Sequence, residues 1–310
     1  MIGLGLLAAS APALMASTLA YWRFEEGPAG ANVTHGGAGA GVFYAGTMDS
    51  SGNGNDLSVF AEGWAGYAYN ADTPAPTVPI SSATNNFSVV NTGSYPALGT
   101  QTGTALQTWS PSAWTIEAAF QPENGGYRTL IGRDSRGTAT ANGDLAALYL
   151  QIMPGNELAI KYCDVSGYWH EAISAAGTIS GYAWPDSGSG SWYAAAAVCT
   201  GNMLSLYLRN VEANGAGAYT LIAQTDLTLS GSPNTALTAG GGDGGDWDAG
   251  NFSVGRGLYA GGHGDRAFGF IDEVRISDEA LAPSQFLFVP EPATAALGAL
   301  GLLGFLRRRR

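Results

Sequence analysis

The sequence predicts an all-β protein built as a two-sheet antiparallel sandwich, and three features of the chain support this. Glycine (46 of 310 residues) and aromatic residues (11%) are abundant, whereas charged residues make up 12% of the chain. This composition is typical of a folded, turn-rich β protein. Short alternating or apolar runs are separated by turn clusters, without long helical periodicity. The runs do not alternate with helical segments, which argues against an α/β fold.

The first half of the chain starts with a strand and reaches a clearly alternating one. "LAYWRF" at 19–24 predicts the first strand. Residues 70–110 are rich in Pro, Thr, Asn and Gly, and they predict long loops with short edge strands. "WTIEAAF" at 114–120 alternates with period two, which places Trp114 on the face opposite Glu117.

The second half predicts two hairpins and a final helical turn. "ELAIKYCDV" (157–165) pairs with "YWHEAIS" (168–174), and "SWYAAAAV" (191–198) pairs with "MLSLYLRN" (203–210) across a Cys-Thr-Gly-Asn turn. "DEALAPSQF" (278–286) predicts the helical turn. One face of the second hairpin holds Leu204, Leu206 and Leu208.

Five blocks of the chain follow one another in a familiar order: "AYWRFEEG", "DSSGNGNDL", "WTIEAAFQP", "SWYAAAAVCTGNMLSLYLRN" and "FGFIDEVRISDEALAPSQF". In this order they resemble the blocks of laminin G-like, concanavalin A-like jelly-roll domains. The resemblance implies one jelly-roll domain over residues 18–288. The chain departs from the family at Ala194, where a His is usual, and at Arg209-Asn210, where Asn-Gly or Asp-Gly is usual.

A carboxylate inside the last predicted strand is the most informative candidate for a site. In "AFGFIDEVRIS", period two places Asp272 on one face with Val274, and Glu273 with Arg275 on the other as a solvated pair. A carboxylate on an apolar face is costly unless it is solvated, paired, hydrogen-bonded or bound to a cation. One reading is a hydrogen-bonded structural aspartate. The laminin G-like resemblance implies instead a structural Ca²⁺, with Glu25, Glu26, Asp49, Asp56 and Asp272 as candidate ligands.

Aromatic residues beside polar ones predict a platform for a sugar ring, whose faces are apolar and whose hydroxyls need partners. "GGGDGGDWDAG" (240–250) offers Trp247 with Asp246, and "EGWAGYAYN" (62–70) offers Trp64 and Tyr67. The same reasoning applies to Tyr69, Trp169 and Trp184. The alternatives are a flexible acidic loop at 240–250 and aromatic side chains buried in the core.

Motifs of catalysis are not found in the sequence. Glycosidases need two carboxyl groups about 5–9 Å apart, and the Glu-x-Asp strand motifs of concanavalin A-like glucanases do not occur. Neither an H-E-x-x-H helix nor a G-x-S-x-G elbow is present. The net charge of −12 and the single lysine, Lys161, argue against nucleic acid as a partner.

The two cysteines, Cys163 and Cys199, leave two possibilities open. An exported protein meets an oxidising compartment, so the cysteines could form a disulfide. The alternative is two buried thiols.

Both ends of the chain predict targeting segments. Residues 1–17 form an apolar run with small residues near its end, as in a secretory signal. Residues 289–310 contain Pro290, Glu291 and Pro292, then an apolar run and four arginines. This tail resembles the PEP-CTERM sorting signal. The resemblance implies a Gram-negative bacterium, export, a short transmembrane helix that anchors the chain transiently in the inner membrane, and processing by an exosortase.

Together these features predict an exported protein of the cell surface or extracellular matrix. Its predicted function is a non-catalytic binding module for extracellular polysaccharide or a matrix protein. The alternatives are a structural component of an extracellular matrix or biofilm, and a polysaccharide-active enzyme.

Overall fold

The computed structural model describes most of the predicted domain. The described residues are 18–34, 44–59, 64–92, 98–123, 126–134, 146–181, 190–211, 217–239, 243–244, 247–259 and 262–289. The predicted signal segment and the sorting residues from Pro290 onward lie outside these ranges, as does the predicted tail helix. Within these ranges, the helical elements are two 3₁₀ turns, Leu227–Leu229 and Pro283–Gln285. The described part of the chain contains no helix that is long and apolar enough to cross a membrane.

Strands make up nearly all of the regular structure. In chain order the strands of the described ranges are β1 Thr18–Trp22, β2 Asn32–Thr34, β3 Tyr44–Thr47, β4 Leu57–Val59, β5 Trp64–Asn70, β6 Thr77–Val78, β7 Ala83–Thr84, β8 Ser88–Asn91, β9 Leu98–Thr100, β10 Trp114–Pro122, β11 Arg128–Arg133, β12 Leu148–Ile152, β13 Leu158–Cys163, β14 Trp169–Ile173, β15 Tyr193–Cys199, β16 Met203–Asn210, β17 Thr220–Asp226, β18 Asp243–Gly244, β19 Trp247–Asp248, β20 Phe252–Val254, β21 Gly257–Tyr259, β22 Gly262–Gly264 and β23 Gly269–Ser277.

The strands form two large antiparallel sheets that pack face to face, which confirms the predicted sandwich. The nine-stranded sheet has the order β17-β16-β15-β10-β23-β8-β5-β2, with β1 also paired to β23. The eight-stranded sheet has the order β14-β13-β12-β11-β20-β9-β4-β3. Three two-stranded ribbons, β6-β7, β18-β19 and β21-β22, lie outside these sheets.

The main apolar core lies between the two sheets. Trp114 on β10 and Tyr162 on β13 meet across it edge to face, with ring centroids 5.5 Å apart. Both predicted hairpins are present, as β13-β14 and β15-β16. The predicted inner face of β16 is confirmed, because its leucines at 204, 206 and 208 all belong to this core. The alternation of β10 is confirmed as well, because Glu117 points away from the core residues Ile116 and Ala118.

The outer face of the nine-stranded sheet is covered by two segments of the chain. A second apolar cluster on this face joins Tyr21 and Phe270 of the sheet to Val78 of the β6-β7 ribbon and to Leu287 and Phe288. The segment that follows β23 contains the turn Pro283–Gln285, which is shorter than the predicted helical turn at 278–286. The middle of this face, around β23 and β10, is therefore buried under the chain itself.

A β-bulge changes the predicted facing of residues in β23. Glu117 of β10 pairs with Arg275 and Ala119 pairs with Asp272, so β23 carries one more residue than β10 in this interval. Glu273 adopts a left-handed backbone (φ 48°) at this point. Val274 and Ile276 face the main core, but Asp272 lies on the covered outer face. The predicted shared face of Asp272 and Val274 is wrong because the bulge interrupts the period of two.

Candidate functional site

The predicted aromatic platform residues do not form one platform in the structure. Tyr67 is fully buried in the core, so its ring has no surface to offer a sugar, and its assignment as a ligand residue is corrected. Burial raises the pKa of the Tyr67 hydroxyl. Trp64 lies in β5 and Trp247 in the short ribbon strand β19. Asp246 and Trp184 lie outside the described residues.

Trp169 is the described tryptophan that best fits a platform. Trp22, Trp114 and Trp192 are buried, and Trp109 packs against the main core. Trp169 is half-buried and lies on the outer face of the eight-stranded sheet. Its facing follows from the ladder: Tyr162 points into the core, so the next pair along the ladder, Cys163 and Trp169, points outward.

The ring of Trp169 is held nearly flat against a neighbouring tyrosine. Tyr149 on β12 and Trp169 have ring centroids 6.2 Å apart and ring planes 21° apart. The Tyr149 hydroxyl donates to the Leu258 carbonyl oxygen and accepts from the Ala146 N–H. Because both of these bonds are buried, Tyr149 has little freedom to turn. Trp169 therefore rests on a rigid support, which lowers the conformational cost of stacking a ligand on it.

A row of charged side chains crosses the sheet beside this stack. Tyr149 pairs with Lys161 in the β12-β13 ladder, and Lys161 pairs with Glu171 in the β13-β14 ladder. The Lys161 ammonium lies 3.8 Å from a Glu171 carboxylate oxygen, with the Glu171 side chain 61% exposed. The exposed Glu171 carboxylate can therefore accept hydrogen bonds from the hydroxyls of a ligand.

Asp265 adds a second carboxylate from the loop after β22. Its backbone is left-handed (φ 49°). Burial raises the pKa of the Asp265 carboxyl, while a hydrogen bond from Gln151 and the charges of Arg128 and Lys161 act to lower it. Lys161 thus acts on both Glu171 and Asp265. Exposed Tyr259, next to Leu258 on β21, lies near enough to Tyr149 to influence its hydroxyl.

These groups define one surface, which we name the Trp169 face: Tyr149, Lys161, Trp169, Glu171, Tyr259 and Asp265. It combines a supported tryptophan ring, the exposed Tyr259, one cation and two carboxylates on the outer face of the eight-stranded sheet. Sequence reasoning singled out Trp169 but missed Tyr149 and Lys161 as its neighbours. The sequence did contain a signal for Lys161. A lysine between the apolar residues Ile160 and Tyr162 indicates that it lies on the solvent side of β13.

The five carboxylates proposed for calcium do not converge on one point. Glu25 accepts from the Asn86 and Phe87 amides at 2.7–3.1 Å. Asp49 accepts three backbone N–H bonds, and its own N–H donates to Asp56. Among the residues that the structure describes, no three His, Cys, Asp or Glu side chains are grouped so that they could hold a metal ion. The five side chains are therefore not gathered into one cluster in the described residues, and a structural calcium stays a prediction.

Asp272 and Glu273 form a buried acidic pair instead. Asp272 accepts from Asn85 Nδ2 and from the Glu273 N–H, each at 2.8 Å. Glu273 accepts from the Tyr21 hydroxyl and from Arg23 Nε. Burial raises the pKa of both carboxyl groups, that of Glu273 to about 7. The charge of Glu273 raises the pKa of Asp272 further, whereas the charge of Arg23 and the hydrogen bonds from Tyr21 and Arg23 act to lower that of Glu273. The predicted solvated pair of Glu273 with Arg275 is wrong, since both are buried and have other partners.

The two cysteines are not joined by a disulfide in the structure, which corrects that possibility. Cys199 points into the core, where its sulfur lies 3.8 Å from the Tyr162 hydroxyl. Cys163 follows Tyr162 in β13 and therefore points to the opposite face of its sheet. The two side chains diverge, and both are buried.

A Ser-Asp-His cluster at the β13-β14 turn resembles a catalytic triad in composition but not in order. His170 Nε2 and Ser232 Oγ both bond to Asp164 Oδ2, at 2.7 and 2.5 Å. Asp164 Oδ1 accepts two N–H bonds of the turn. A triad needs the histidine between the serine and the acid. Here the acid lies between them, so the cluster stabilises a turn.

Comparison with known proteins identifies the tail and the fold. Residues 288–310 match the PEP-CTERM protein-sorting motif. The chain is similar to the binding domain of Botulinum neurotoxin serotype G, with a TM-score of 0.51 and 10% identity over 86% of this chain and 49% of that one. It is also similar to the binding domain of Paraclostridial Mosquitocidal Protein 1, with a TM-score of 0.52 and 14% identity over 89% of this chain and 52% of that one. No curated protein matches the sequence.

The similarity to these two binding domains concerns the fold alone. This chain spans about half of the length of the solved chains that it matches, and at such identities the likeness concerns the fold. The sorting motif has a direct meaning for the protein's destination. The chain carries a PEP-CTERM sorting motif at residues 288–310, which marks it as an exported, surface-sorted protein that an exosortase processes.

Proposed function

We propose that this protein is a non-catalytic binding module of the cell surface or extracellular matrix, and that it binds extracellular polysaccharide through the Trp169 face. Its tail anchors the chain transiently in the inner membrane before an exosortase removes it. The observation that carries the binding proposal is the half-buried ring of Trp169 held against Tyr149, beside Lys161, on the outer face of the eight-stranded sheet.

The chemistry of the Trp169 face fits a sugar chain. One face of a pyranose ring is apolar and stacks on an aromatic ring, while its hydroxyls need donors and acceptors. Glu171 and Asp265 provide acceptors, and Lys161 provides donors. Three of its groups, Tyr149, Lys161 and Glu171, come from neighbouring strands of one sheet, so an extended sugar chain lying across the strands would contact them in series.

The test measures binding of the full-length protein to an array of polysaccharides, followed by affinity measurement for each polysaccharide bound. We expect selective binding, and we expect Trp169→Ala to lower the affinity by about tenfold or more, because a large aromatic contact contributes more than about 1.4 kcal/mol. The matched control is Tyr168→Ala. Tyr168 is an exposed aromatic residue next to Trp169 in sequence but lies in the turn before β14.

Three outcomes would count against the proposal. Absence of binding by folded protein would favour a structural role in the matrix. Equal losses for Trp169→Ala and Tyr168→Ala would move the site away from the Trp169 face. Release of reducing ends from a bound polysaccharide would show an enzyme and would direct attention to Glu171 and Asp265.

A further inference from the structure

A separate cleft lies at the opposite edge of the sandwich. β2 ends the nine-stranded sheet and β3 ends the eight-stranded sheet, and residues of both strands line this cleft. β14, which carries Trp169, lies at the other end of the eight-stranded sheet. We name this site the Glu26 cleft and define it by Glu26, Pro28, Asn32, Thr47, Met48 and Tyr69.

The Glu26 cleft has the size of a site for a small ligand. Its volume is about 330 Å³, at the lower end of the roughly 300–1,000 Å³ of small-molecule sites. Pro28, Met48 and the Tyr69 ring form its apolar surface, while Glu26, Asn32 and Thr47 contribute polar groups. An apolar surface with a few convergent polar groups is typical of a site that orients a small polar molecule.

Glu26 gives the cleft a negative charge. One of its carboxylate oxygens accepts from the Met48 N–H at 2.8 Å, which fixes the position of the side chain. The charged groups that act on it, Glu25 and Asp56, are themselves acidic. Glu26 is an exposed residue, and these two neighbouring negative charges act on its carboxylate. A bound cation would relieve this repulsion.

Two hydroxyl-bearing residues, Thr47 and Tyr69, line the cleft. The Tyr69 hydroxyl donates to the Gly46 carbonyl oxygen at 2.9 Å, so its oxygen can still accept a bond. The Thr47 hydroxyl is buried beside the Tyr69 hydroxyl and interacts with it. Each of the two oxygens can accept a further bond from a ligand hydroxyl.

We propose that the Glu26 cleft binds a hexosamine-sized ligand with a protonated amine. The ammonium group pairs with the Glu26 carboxylate, and the ring hydroxyls of the ligand bond to Asn32, Thr47 and Tyr69. The source of such a ligand is an amino sugar, free or as a residue of a polysaccharide. This site is independent of the Trp169 face.

The test titrates the full-length protein with glucosamine, N-acetylglucosamine and glucose at about pH 6, where a free amine is protonated, and follows binding by calorimetry. Acetylation removes the charge of the amine, and glucose lacks the amine. We expect saturable binding of glucosamine and much weaker binding of the other two sugars. Glu26→Gln should weaken glucosamine binding by about fivefold or more, because it removes the charge pair.

Two further variants separate the site from effects on folding. Glu279→Gln makes the same charge change at an exposed position after β23 and should leave binding unchanged. Thr47→Val keeps the shape of the side chain and removes its hydroxyl, so it should weaken glucosamine binding while the protein stays folded. Trp169→Ala should leave glucosamine binding unchanged, which distinguishes this site from the polysaccharide site.

The proposal is overturned if the three sugars bind equally, if glucosamine shows no saturable binding, or if Glu26→Gln binds it as well as the parent protein. Saturable binding of calcium chloride that is lost in Glu26→Gln would also overturn it, and would assign the cleft to a metal ion.

Discussion

Glu117 and Arg275 form a buried ion pair that ties the end of the domain to the nine-stranded sheet. The two residues face each other in the β10-β23 ladder, and Arg275 donates to Glu117 through Nε and Nη2. The same two side chains hold the following segment: Arg275 donates to the Gln285 carbonyl oxygen, and the Leu287 N–H donates to Glu117. The sorting motif begins at the next residues, so the chain leaves the domain from a fixed point.

Removing one partner of this pair should destabilise the domain strongly. We expect Glu117→Ala to lower the free energy of unfolding by about 3–5 kcal/mol, because it leaves the Arg275 guanidinium buried without its counter-charge. Urea denaturation measures this loss. Hydrogen exchange at the Leu287 amide should rise in the same variant, since this amide loses its acceptor.

The pair of Lys161 with Glu171 gives a matched control. Glu171→Ala should cost less than about 1 kcal/mol, because the Glu171 carboxylate is exposed to solvent. Replacing both buried partners, as in Glu117→Met with Arg275→Met, should recover part of the loss. Equal effects of Glu117→Ala and Glu171→Ala would contradict the structural role assigned to the buried pair.

The acidic pair at the bulge should make the protein less stable as the pH rises. Burial raises the pKa of Glu273 to about 7, above its ordinary value of 4.5, and burial with the Glu273 charge raises that of Asp272. The folded state therefore holds protons that the unfolded chain releases. The stabilisation is complete below about pH 4.5 and is lost as the pH rises through about 7. Tyr21, Arg23 and Glu25 are the other titratable groups that act on Glu273.

The measurement is the free energy of unfolding in urea at about pH 5 and about pH 8. We expect a decrease of roughly 1–3 kcal/mol over this interval. Other raised carboxyl groups, among them Glu117 and Asp265, act in the same direction. Glu273→Gln should therefore reduce the decrease without abolishing it. If Glu273→Gln kept the full pH dependence, Glu273 would not be among the groups that titrate between about pH 5 and about pH 8.

Both thiols should be inert in the folded protein. Burial raises the pKa of the Cys163 thiol to about 11, with a contribution from Asp164, and burial raises that of Cys199. A thiol reagent should therefore modify two cysteines after unfolding and neither before. Dithiothreitol should leave the melting temperature unchanged. An intact mass that is lower by two hydrogens, from protein purified without reductant, would show a disulfide and contradict the observed facing of the two side chains.

The strands whose alternation is visible within a few residues could be predicted from the sequence. The side chains whose sheet face depends on how one strand pairs with another could not. β10 and the β15-β16 hairpin follow from alternation within a few residues, as with Trp114 and Glu117. The bulge at Glu273 has no such signal, because glutamate rarely adopts a left-handed backbone. Its conformation is imposed by the register of β23 against β10 and β1. The face of Asp272 was therefore wrong.

The sequence could suggest an aromatic platform at Trp169, but it could not identify the residues that surround this platform. Trp169 was recognised as a possible platform from its residue type and polar neighbours. Its support by Tyr149 and the position of Lys161 depend on the ladders of β12, β13 and β14, which join residues distant in sequence. Tyr67 shows the converse: the sequence cannot tell an aromatic residue in a core strand from one on an open face when glycine and alanine surround it.

The last prediction concerns the residue that encloses Tyr67. Gly255 has a left-handed backbone (φ 83°), and a Cβ atom there would overlap the Tyr67 hydroxyl. Gly52 has the same φ of 83°, but a Cβ atom there would meet nothing within 4 Å. The two glycines share the backbone strain of an alanine substitution and differ in steric contact.

Gly52→Ala should cost about 1–2 kcal/mol of unfolding free energy, and Gly255→Ala about 1–3 kcal/mol more. Thermal and urea unfolding of both variants measure the difference. Equal costs would mean that the Tyr67 ring moves away freely, and that the packing of β5 against the eight-stranded sheet is looser than the structure shows.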